Sequence, residues 1–161
     1  MADLDDGTVE YILNNRTHFE DLRQVTAQLA GLLVLAATGA RGAAPDHPLL
    51  ETADQLFQTA VDGLRRAHVP ARARPHHDAV MQAVAAVRGA LDAAHAGLGR
   101  RAPGVDLDPI LIPLRAGYTH LQRAAHTLPG FEMVAFDQGC CGHGAGATPR
   151  RPLPAIGDLT S

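Results

Sequence analysis

Four stretches of this chain repeat apolar residues at alternating steps of three and four, and little else in it is regular. The cleanest is His77, Val80, Val84, Val87, Leu91, Ala94 and Leu98. Such spacing returns to one helix face every 3.5 residues, the period at which helices pack side by side. Phe19, Leu22, Thr26, Leu29, Leu33 and Ala36 make a second seam. Thr17 and Glu20 have the spacing of a capping box ahead of it. Val9, Ile12 and Leu13 form an earlier apolar turn on an offset face, so either a short helix precedes Asn14-Asn15 or one long helix begins near Thr8.

A third helix opens at Pro48, a residue suited to the first turn, and carries Leu49, Ala53, Leu56, Ala60, Leu64 and Ala67 up to Val69-Pro70. Leu107, Ile110, Leu114, Gly117, Leu121, Ala124 and Leu128 make the last seam. Pro109 and Pro113 cannot both occupy one first turn, so regular helix is predicted from about Pro113, with residues 107–112 as a looser lead-in. Helices joined by short or moderate links favour neighbouring, oppositely directed packing. The predicted fold is all-α, an antiparallel up-down four-helix bundle over residues 1–144, with a flexible Pro/Gly-rich tail at 145–161.

Hydrophobic residues make up 46% of the chain, many of them alanine, and aromatics only 4%. That suits close helix packing and argues against a β-sandwich. Small core side chains bury little area each, so a homodimer is expected to supply part of the stability. The net charge of −3 gives no basic footprint for nucleic acid. The longest apolar stretch, Leu29 to Ala37, is too short to span a bilayer. The acidic start lacks the features of a signal peptide, and adjacent Cys140 and Cys141 offer no long-range intrachain disulfide, so a cytoplasmic protein is expected.

Nine histidines are many for 161 residues, and imidazole serves both metal ligation and proton transfer near neutral pH. In an up-down bundle His18, His68, His76, His77 and His126 fall within about two turns, roughly 10 Å, of one end. Position around each helix sorts them. His77 lies in its seam, His18 flanks one, and His120 borders the apolar arc of the last helix. His68 and His76 read as solvent-facing caps, and His126 as polar-side. His18 and His77 are therefore the candidate acid–base groups or ligands. Tyr118 is the candidate hydrogen-bond or proton donor, with Arg115 and His120 to hold an anionic substrate. No Glu-x-x-His or His-Glu-x-x-His motif is present.

Phe131 to Phe136 is a dense apolar stretch that suits a strand paired with its own copy, an extended cover on the bundle, or a further short helix. Cys140, Cys141 and His143 follow, a donor set for a soft metal or a redox pair. The expected function is a His-lined pocket for a transition metal, haem or small organic ligand, with lyase or isomerase chemistry on a small aromatic substrate. The alternative is a non-catalytic metal or redox sensor, or a dimeric assembly module, built on the Cys-Cys-x-His segment.

Overall fold

The computed structural model describes residues 4–38, 48–98 and 106–133. They form α1 (Asp6–Ala37), α2 (Pro48–Arg66), α3 (Arg74–Gly97) and α4 (Asp108–Thr127), with one 3-10 turn, Ala71–Ala73, leading into α3. The fold is an all-α bundle with no strand among the described residues. None of these helices is long and apolar enough to cross a membrane.

α3 packs most extensively on α4, and α1 on α2. Gly117 faces Val87, Gly89 faces Pro113 and Gly97 faces Ile110, so the α3–α4 contacts descend one helix as they ascend the other. In the other pair Gly7 lies by Pro70, just past α2, and His18 lies on Gly63. A Cβ at Gly117 would stand 2.8 Å from Val87 Cγ2. Glycine there lets the two backbones approach more closely than any side chain would allow. Phe19, Leu22, Phe57, Leu64, Leu91 and Leu121 are among the fully buried side chains of the shared core.

α1 is a single helix. Asp5 caps it, one carboxylate oxygen accepting from the Thr8 N–H at 2.9 Å and the other from the Thr8 hydroxyl at 2.7 Å. The Thr17–Glu20 capping box is not used, because Thr17 is mid-helix and exposed. Nor do Val9 and Leu13 face inward. They are 40% and 72% exposed, while Thr8, Tyr11 and Asn15 are buried. The 3–4 seam runs back through Phe19 without a break, but its first four residues from the N-terminus include three polar groups.

α2 is rotated from expectation. Leu50, Ala53, Phe57, Ala60, Val61 and Leu64 are buried, and Leu49 is 39% exposed. α4 begins at Asp108 and contains Pro113. This corrects the predicted start: Pro109 fills the first turn, and Pro113 follows close enough to the N-terminus to remove only one ladder bond.

Candidate functional site

The polar first part of the α1 seam meets the start of α3. Tyr11 Oη lies 3.0 Å from His76 Nδ1 and 3.2 Å from His77 Nδ1. One phenol thus serves two imidazoles. Asn15 Nδ2 donates to the Tyr11 carbonyl at 2.8 Å. His76 is 1% exposed, which corrects its reading as a solvent-facing cap. It is stacked against Phe131 with ring centroids 4.0 Å apart and flanked by Phe19 and by the edge of Tyr11. The stripe of α3 is wider than its seam: Ala79, Ala83 and Ala90 are buried as well as the valines, and His76 belongs to that second row. His77 is half-buried rather than central.

A hydroxyl donates once and can accept twice, so at most one of the two imidazoles takes its hydrogen from Tyr11. His76 Nε2 is buried without a partner. An orphaned N–H is the rarer and costlier arrangement, so the hydrogen of His76 is assigned to Nδ1, donating to Tyr11. Tyr11 then donates to His77 Nδ1, and the His77 Nε2–H is left for solvent. Burial, with the neighbouring His77 adding to it, pushes the His76 imidazole down to about 4. Burial also lowers His77, against an opposing pull from Asp78. It raises the Tyr11 phenol, to which the Asp78 charge contributes. The three donor atoms converge, but the fit to a metal fails at His76. Ligation through Nδ1 would leave an Nε2–H with no acceptor, whereas ligating histidines pass that hydrogen to a partner.

The other face of Tyr11 borders a cavity of about 420 Å³ between α1 and the end of α2. Glu10, Asn14, Asn15 and His18 line it from α1, and Gly63, Arg66, Ala67 and His68 from the opposite side. Gly63 leaves room for His18: a Cβ at that position would overlap the ring and force it to turn. His18 Nδ1 is buried without a hydrogen-bond partner. The cavity walls therefore carry a carboxylate, a guanidinium, two amides and two imidazoles.

The sequence-predicted residues fall in separate places. His18 lines the cavity; His77 does not, and is linked to it through Tyr11. Arg115 and Tyr118 line a different depression, a groove of about 860 Å³ between α1 and α4. His120 is turned to Arg123, whose guanidinium nitrogen lies 3.1 Å from its Nδ1. His126 is exposed, as expected. Cys140, Cys141, His143 and the 145–161 tail lie outside the described residues. Of the apolar stretch after α4, Phe131–Met133 is neither helix nor strand, and Phe131 is buried over His76. Among the described residues no three His, Cys, Asp or Glu side chains gather as a metal site.

Tyr11, Asn15 and His76 were missed by the sequence reading. The signal for the first two was there: counting back from Phe19 by four, four and three gives Asn15, Tyr11 and Thr8. The described residues thus form a four-helix all-α bundle with a polar cavity at its α1–α2 seam. No family model, curated protein or solved structure matches it.

Proposed function

We propose that this protein binds a small organic acid in the α1–α2 cavity and acts on it by proton transfer, in the manner of a lyase or isomerase. The observation that carries the reading is the gathering of His18, Arg66, His68 and Glu10 in the wall of one cavity. Arg66 and His68 would hold the anionic group, and His18 would exchange the proton. Tyr11, also in the cavity wall, would limit the ligand's orientation by contact.

The wall chemistry favours an organic acid over the other ligands considered. Charged and amide groups of both hydrogen-bonding senses suit a polar molecule, whereas a haem needs broad apolar faces and a metal needs three convergent donors. Val9 and Leu13 lie one turn apart on the outer face of α1, and their exposure supports a homodimeric form. A cytoplasmic setting belongs to the same reading.

The test is a thermal-shift screen with small carboxylates, aromatic ones such as benzoate included, followed by NMR in D2O. A true ligand perturbs the His18 imidazole and Arg66 resonances and incorporates deuterium at carbon. Its stabilisation, about 2.7 kcal/mol at a hundredfold excess over Kd, is lost in His18→Leu and Arg66→Gln. Ligands that stabilise those variants as well as the parent would overturn the reading.

A further inference from the structure

The groove between α1 and α4 is chemically unlike the cavity, and we propose that it is a second binding site, for an anionic amphiphile: a carboxylate on a linear alkyl chain. Leu111, Leu114 and Leu121 of α4 and Ala27 and Ala30 of α1 form an apolar floor, with Met133 at its edge. Methionine is an adaptable wall for a flexible chain. The α1 residues along the groove run from Glu20 to Ala30, a distance of roughly 15 Å along the helix axis. Its volume of about 860 Å³ lies toward the upper end of the range for small-molecule sites, about 300–1,000 Å³.

Charge selects the head group. Glu20 and Arg23 neutralise each other at 2.6 Å. Arg115 forms no ion pair among the described residues, and the Tyr118 hydroxyl forms no hydrogen bond among them. One cation, one hydroxyl and the Gln24 amide are thus left beside an apolar floor, which matches a carboxylate with an alkyl chain and leaves an amine without a free anion to pair with. None of this depends on the His18 cavity.

The experiment is calorimetric titration of the full-length protein with octanoate, decanoate and dodecanoate, each below its micelle threshold, and with dodecanol. Expected is saturable one-to-one binding that tightens about fifteenfold for each added pair of methylenes. Arg115→Gln should weaken dodecanoate about tenfold and leave dodecanol unchanged. Ala27→Phe, made at an exposed helix position, should fill the groove and abolish binding with helicity retained. If that variant fails to fold, Ala30→Glu, also at an exposed position, should repel dodecanoate. His18→Leu should have no effect on any of these titrations. Three results would overturn the proposal: no saturable binding to the full-length chain, as when residues beyond Met133 or a second copy cover the groove; affinity that ignores chain length; or binding untouched by the groove variants.

Discussion

Replacing His76 with leucine should change stability little near pH 7.5 and remove this imidazole's own share of the protein's sensitivity to mild acid. The imidazole is held at about 4 by burial among Phe131, Phe19 and Tyr11, against an ordinary value of 6.5. Between those values the unfolded chain takes up a proton that the folded chain refuses. The contribution is complete above pH 6.5, falls as pH drops, and is exhausted near pH 4. At about 1.36 kcal/mol per pH unit the whole effect is on the order of 3 kcal/mol, a large share of the 5–15 kcal/mol that holds a typical domain together. Leucine fills the same apolar box and needs no hydrogen-bond partner, so its cost at neutrality should stay within about 1 kcal/mol. Urea unfolding followed by far-UV circular dichroism, at half-unit steps from pH 7.5 to 4.5, gives both profiles. Their difference cancels what the two proteins share, including the raised Asp21 and the lowered Asp5 and Glu132 carboxyls. It should change by about 2–3 kcal/mol over that range. Parallel profiles would refute the placement of a neutral, enclosed imidazole at position 76.

Tyr11→Phe removes the hydroxyl shared by both imidazoles and leaves His76 with no partner at all. It should cost about 2 kcal/mol in denaturant midpoint with an unchanged m-value, and under about 1 kcal/mol in a His76→Leu background, where only half-buried His77 is deprived. Gly117→Ala should cost about 1–2 kcal/mol, because Val87 must turn away from the new methyl. Its control, Gly31→Ala, meets open space on an exposed helix face and should raise the melting temperature by the equivalent of about 0.5–1 kcal/mol.

Where a helix has one stripe of branched residues, its register could be read directly. Ile110, Leu114, Gly117, Leu121, Ala124 and Leu128 are buried in the order their spacing predicts. Doublets defeated the same reasoning. Leu49-Leu50 and Leu56-Phe57 each offer two seams a hundred degrees apart, and only packing against α1 selects the second member. His76-His77 is another such pair, complicated by alanines that count toward neither face until neighbours on both sides bury them. In α1 the polarity of Thr8, Tyr11 and Asn15 hid a stripe that their spacing preserved. His18 was legible as an inward flank. Its partners across the cavity were not, since Arg66 and His68 depend on how the end of α2 meets α1. Arg115 and Tyr118 were legible as a polar interruption of α4, but their neighbour turned out to be the middle of α1 rather than the histidines.

The buried hydroxyls and amide near the start of α1 also bear on alignment. Were that helix to slide one heptad along its neighbours, Tyr11 would lose both imidazoles, and His18 would stand where the phenol had been. An all-aliphatic stripe would tolerate such slippage at little penalty; this one does not. A variant with apolar residues at 8, 11 and 15 should therefore gain heat resistance while losing its single vertical setting, visible as doubled amide resonances for α1.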